Sequence, residues 1–217
     1  DGTTVATASE DGNVRLWRIA DGALLNTIPA GGKGVLSVAF APDGRSVAAG
    51  STDGSVRIWD SARGTSLRTI GAHNELVFAL AYATDGKSLV SGARDGVVRR
   101  WNVADGALVE EFVGHTDRVF AVAVAPDGRS ILSGGEDRTV RLWASDAGGE
   151  LRRWNVGRSR LRACAPNWAG SIGATITTVT SCRFDAGFAP AYAVAFTPDG
   201  RSLVFADDNR VRLATLP

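Results

Sequence analysis

The sequence predicts an all-β chain built from successive four-stranded antiparallel sheets. Three observations predict it. Tryptophans fall at Trp17, Trp59, Trp101 and Trp143, each 42 residues after the one before. Asp11, Asp53, Asp95 and Asp137 keep the same interval, each six residues ahead of its tryptophan. The turns Pro42-Asp43-Gly44, Thr84-Asp85-Gly86 and Pro126-Asp127-Gly128 also step by 42 residues, and Pro198-Asp199-Gly200 follows 72 residues later. A period near 40 residues marks a stacked repeat architecture. The apolar residues inside each unit alternate with period two, and no helical periodicity accompanies them.

Residues 119–156 serve for the unit. Val119 to Ala125 alternates small and large apolar residues, as a buried strand does. Pro126-Asp127-Gly128 closes a hairpin, because proline presets φ and glycine accepts the left-handed position. Ser130 to Gly134 forms the second strand, and Glu136-Asp137-Arg138 turns the chain again. Thr139 to Trp143 is the third strand, with Val140 and Leu142 on one face and Arg141 and Trp143 on the other. Glu150 to Val156 is a more polar fourth strand, suited to an outer edge. Such a sheet becomes stable by stacking on its neighbours.

Within this frame, Gly114-His115, Ser133, Asp137 and Val140-Arg141-Leu142-Trp143 resemble the WD-repeat signature. Ala72-His73, Ser91, Asp95 and Val98-Arg99-Arg100-Trp101 resemble it too, and Trp59-Asp60 supplies the dipeptide that names the family. The resemblance spans nearly the whole chain except about residues 158–190. It implies a β-propeller with about four and a half to five blades, residues 1–217 forming one domain with 158–190 as an irregular insertion.

The resemblance also implies two buried hydrogen-bond chains, His115–Ser133–Asp137–Trp143 and His73–Ser91–Asp95–Trp101. A buried carboxylate and a buried indole both need partners. Both histidines are thereby committed to structure, so no catalytic residue is assigned, although Ser, His and Asp together can form a hydrolase triad. The second unit carries Gly31 and Ala49 where histidine and serine are expected, so its network should be broken. The first unit retains Thr7, Asp11 and Trp17 but lacks its innermost strand. The last has Phe205 at the hydroxyl position, Ala214 in place of tryptophan and no fourth strand. Either five irregular sheets close a small ring, or residues beyond both ends complete a larger one; the latter is the expectation.

Proteins of this family mostly present one end of the propeller to partners. The resemblance places Leu36, Phe78, Phe120 and Tyr192 around the mouth of the central channel there. Leu76 and Arg118 lie beside them, and Glu10, Thr52, Arg94 and Glu136 precede the turn aspartates. Aromatic residues rimmed by mixed charge suit a protein-binding hot spot. Equally, these side chains could simply plug the channel.

Two function classes follow. The first is a non-catalytic scaffold or sensor that binds proteins or peptides without a cofactor. The alternative is a metal-assisted, lactonase-like hydrolase, which would need ligands gathered at the channel. No metal-ligand spacing is present. Nucleic acid is a poor fit, since Arg15, Arg57, Arg99, Arg141 and Arg212 recur on third strands as solvated faces.

Composition sets the outer bounds. Apolar residues make up 44% of the chain, ample for a core, and the formal charge of +1 carries no nucleic-acid footprint. No apolar run reaches membrane-spanning length. No signal-peptide pattern opens the chain, which leans towards the cytoplasm without fixing the compartment. The chain has no methionine, so Asp1 is not expected to be a natural start. Arginine supplies 22 of the 24 basic residues, a habit of GC-rich coding that suggests a bacterial source. Residues 158–190 break the pattern and hold Cys164, Trp168 and Cys182. They suit an insertion on the partner-facing end, a disordered connector or a reading-frame error.

Overall fold

A computed structural model describes residues 2–31, 34–155, 193–197, 199–207 and 210–215. The irregular segment 158–190 and Tyr192 lie outside the described residues. Five antiparallel sheets follow one another along the chain. The first contains β1 (Thr4–Ala8), β2 (Asn13–Arg18) and β3 (Leu24–Pro29). The second contains β4 (Val35–Phe40), β5 (Ser46–Ser51), β6 (Val56–Asp60) and β7 (Ser66–Ile70). The third contains β8 (Val77–Tyr82), β9 (Ser88–Ala93), β10 (Val97–Asn102) and β11 (Leu108–Val113). The fourth contains β12 (Val119–Val124), β13 (Ser130–Gly135), β14 (Thr139–Ala144) and β15 (Glu150–Asn155). The fifth contains β16 (Ala193–Phe196), β17 (Ser202–Asp207) and β18 (Arg210–Thr215). Each sheet pairs its strands in chain order, as a meander. We call these sheets blades 1 to 5.

The hairpins between first and second strands are built by their aspartates. Asp43, Asp85, Asp127 and Asp199 each accept the amide two residues on, at 2.8–3.0 Å. The glycine between sits at φ 67–71°, which only a residue without Cβ adopts freely.

The core is a series of seams, one between each pair of neighbouring blades. Val14, Leu16 and Ile28 pack on Val35, Val47 and Trp59 between blades 1 and 2. Ile58 and Ile70 meet Leu80 and Trp101 in the next seam. Val98 and Phe112 meet Val122, Ile131 and Trp143 in the third, and Leu132 and Leu142 meet Val194 and Phe205 in the fourth. Small residues set the approach. A Cβ on Gly92 would lie 2.6 Å from a Val119 methyl, so that glycine lets blade 4 close onto blade 3.

Two irregularities repeat with the period. Val35 pairs with Ser51 and Ser37 with Gly50, which leaves Leu36 as an extra residue. The same slip leaves out Phe78 and Phe120. These are β-bulges, which re-aim side chains. A second bulge lies in each of β3, β7, β11 and β15. It leaves Leu25, Leu67, Val109 and Leu151 unpaired and exposed.

Candidate partner-binding face

Two of the four complete turns carry a four-residue chain of hydrogen bonds. In blade 4, Trp143 Nε1 donates to Ser133 Oγ at 2.8 Å, and His115 Nε2 lies 2.7 Å from that hydroxyl. His115 Nδ1 lies 2.9 Å from Asp137 Oδ2. In blade 3, Trp101 Nε1 donates to Ser91 Oγ at 2.8 Å, His73 Nε2 lies 2.7 Å from Ser91 Oγ, and His73 Nδ1 lies 2.9 Å from Asp95 Oδ2. A neutral imidazole with its proton on Nδ1 accepts from serine and donates to aspartate, which satisfies the whole chain. Ser91 and Ser133 are 0% exposed. Their hydroxyls share hydrolase-triad geometry with the histidines yet stand out of any substrate's reach.

The charges in these networks are strongly biased. Burial alone would raise the Asp137 carboxyl, but hydrogen bonds from His115 and Thr139 outweigh it and hold it far below the usual carboxylate range. Burial likewise acts against Asp95, and His73 and Arg99 overcome it. Burial pushes the His73 ring down, and Arg99 adds to this against the pull of Asp95.

One expectation from sequence needs correction. The third-strand arginines are not solvated faces. Arg15, Arg57, Arg99 and Arg141 pair with Asp11, Asp53, Asp95 and Asp137 at 2.5, 2.9, 2.6 and 3.5 Å. Arg141 is 4% exposed and also binds Glu150 at 2.5 Å. The side chain of Arg212 lies outside the described residues. The constant Asp-x-x-x-Arg spacing was the available signal. The blade 2 tetrad is broken, as Gly31 and Ala49 lead one to expect, yet its aspartate is not stranded. It lacks histidine and serine, but Arg57 and the Ser55 hydroxyl, at 2.6 Å, satisfy Asp53. Blade 1 keeps a shorter form, with Trp17 donating to Thr7 at 2.9 Å and Arg15 on Asp11.

The turns that carry these aspartates are clamped to the loops that lead into the inner strands. Thr52 N donates to Gly34 O at 2.9 Å, Arg94 N to Leu76 O at 2.9 Å and Glu136 N to Arg118 O at 2.8 Å. The network therefore fixes one end of the inner strands, where the first bulge lies. There the structure brings Phe78 and Phe120 of neighbouring blades together, ring centroids 5.1 Å apart and tilted by 55°. Arg118 lies 3.3 Å from Glu136, and Arg94 lies 3.9 Å from Glu75, an acid the sequence did not single out. Leu36 and Leu76 are half-buried at the same end of their blades, and Glu10 lies against Gly34 there. Arg138 follows in the turn of blade 4 at φ 61°, where the other turns carry glycine. Among the described residues, no group of three or more His, Cys, Asp or Glu gathers as a metal site would require.

The family model described as WD domain, G-beta repeat matches residues 1–18, 22–60, 64–102 and 106–144, well over half of the chain. The chain belongs to the WD40-repeat family. Each match ends within a residue or so of a third strand, so the family unit is the blade seen here shifted by one strand. The solved structure of the computationally designed Ika8 protein, a designed propeller, is similar over 100% of this chain, with a TM-score of 0.71 and 24% identity. The chain spans 56% of that protein's length. No curated protein matches the chain. The WD40 chain is therefore a β-propeller of four-stranded blades, with about four to five blades present. WD40 repeats generally act as protein-interaction scaffolds and are generally non-catalytic.

Proposed function

We propose that this chain is a non-catalytic scaffold and that it binds protein or peptide partners at the bulged end of its inner strands. The observation that carries the reading is the Phe78–Phe120 pair, held 5.1 Å apart by bulges on two separate blades. Aromatic rings on rigid elements give contact area at little ordering cost. Arg94, Arg118, Glu75 and Glu136 supply a charged rim of both signs, and Leu36 and Leu76 extend the apolar patch. Buried tetrads beneath keep the turns in place, so the face is preorganised.

The test compares proteins retained by the immobilised chain with those retained by Phe120→Ala. The variant should keep its melting temperature within the surface range and lose at least tenfold in affinity for a genuine partner. Unaltered affinity would remove this face from consideration.

A further inference from the structure

Every seam in the core has the same two sides. The tryptophan face of the later blade supplies one, and the opposite face of the earlier blade supplies the other. Val47 pairs with Trp59, and both pack on Val14 and Leu16 of blade 1. Leu89 and Trp101 pack in the same way on Ile58 of blade 2. Ile131 and Trp143 pack on Val98 and Phe112 of blade 3. Val47, Leu89 and Ile131 are each 0% exposed.

Blade 1 carries that face with nothing over it. Val5 pairs with Trp17, as Val47 does with Trp59. Yet Val5 is 46% exposed and Trp17 only half-buried. Ile19 lies two residues beyond Trp17 on the same face. Its counterpart Val103, two residues beyond Trp101, packs into the seam of blades 2 and 3. Ile19 is 57% exposed. Large apolar side chains gathered on one open face mark a contact surface. Blade 5 of the same chain leaves this face uncovered.

Blade 5 carries the other side of a seam. Val204 stands beside Ala195, in the register that Ala48, Val90 and Leu132 hold in blades 2 to 4. Those three are sealed in the seams with the following blades. Val204 and Ala195 are only half-buried. One chain therefore holds both halves of an unmade seam, and the exposure of Val5 shows that they do not meet within it. The arc of blades spans 56% of the designed propeller, so two copies sweep about one full turn. A contact between two unlike faces closes into a ring when the rotation permits.

We propose that a second copy of this chain lays the Val204 side of its blade 5 on the Val5, Trp17 and Ile19 face of blade 1, and that the reciprocal contact closes a two-chain ring. The new seam repeats those inside the chain, and burial of its apolar surface drives the association.

The experiment is sedimentation equilibrium of the full chain from about 1 to 100 μM. The mass should rise from one chain to two and stop there. Ile19 stands in solvent in the single chain, so Ile19→Asp keeps the fold. It should raise the dissociation constant about tenfold or more. Hydrogen exchange reads the contact from both sides. Raising the concentration should slow exchange in β1, β2 and β17 together. In Ile19→Asp the effect on β17 should vanish, although that strand is untouched. A chain that stays monomeric throughout would leave the face to another occupant and overturn the proposal. So would a mass that keeps growing, an unchanged dissociation constant in Ile19→Asp, or slowed exchange in β1 and β2 without β17, which means that like faces meet.

Discussion

The Arg57 guanidinium lies 3.5 Å from where a Cβ on Gly31 would stand. Blade 2 thus fills with arginine the room that histidine takes in blades 3 and 4, and the same arginine reaches Asp53 at 2.9 Å. The missing side chain and its substitute sit 26 residues apart, and only their shared aspartate connects them.

Arg57→Ala should therefore destabilise the chain, although the residue looks like a surface arginine. A charged hydrogen bond to a half-buried carboxylate is lost, worth about 1–2 kcal/mol. For a chain of this size that is a drop in Tm of roughly 2–8 °C. Thermal melting checks it, and a Tm unchanged within a degree would mean that Ser55 and the turn amide suffice for Asp53.

Asp137→Ala should be worse than Asp95→Ala. The Asp137 side chain is 4% exposed and that of Asp95 19%. Removing the acid leaves His115 without its acceptor and Arg141 with Glu150 alone as counter-charge in blade 4. The loss there should be about 3 kcal/mol, or roughly 6–12 °C, and smaller in blade 3, where water reaches Arg99. Equal melting temperatures for the two variants would contradict the ranking by burial.

Stability should decline as the pH falls below that of a free histidine. His73 holds its proton less well in the folded chain than in the unfolded one, chiefly through burial. The unfolded state therefore binds more protons once the pH drops through about 6.5, the ordinary histidine value. Its contribution is complete above that pH and is lost below it. Asp95 and Asp137 shift the same way lower down, contributing above about pH 4 and losing stability beneath it. The Tm difference between the parent and His73→Gln should narrow as the pH is taken from 7.5 to 5.5. A constant difference would show that His73 titrates alike in both states.

Arg138→Gly should stabilise. Arg138 holds φ 61° in a turn position that glycine fills in the blades before it. The left-handed conformation costs a residue with Cβ about 1–2 kcal/mol, and the added freedom of glycine in the unfolded chain returns part of that. A net gain of about 0.5–1 kcal/mol is expected, read as a Tm higher by roughly 1–4 °C.

The strands, their hairpins and the two tetrads were legible because their residues carry strong local signals at a fixed interval. Tryptophan, aspartate and proline–aspartate–glycine turns each have a physical preference that survives without context. The bulges were not legible. They rest on pairing between strands, and nothing in Leu36, Phe78 or Phe120 alone says that a partner residue is missing. The burial of the third-strand arginines is hidden from sequence for a related reason. Alternation put Arg141 on a face, but which face is covered depends on the neighbouring strand and turn. Its i+4 spacing from Asp137 signals the pairing only together with the turn geometry.

The bulge in each of these four outer strands has a consequence at high protein concentration. β3, β7, β11 and β15 each end a sheet, with one row of amides and carbonyls facing away from their blade. Such rows recruit stray strands into fibrils when they run straight. Here the extra residue near the start of each one bends the row out of register, and Glu110, Glu111, Arg152 and Arg153 add charge on two of them. A chain with repeated, similarly built edges would otherwise be its own best template for aggregation, and the kink keeps like from zipping to like.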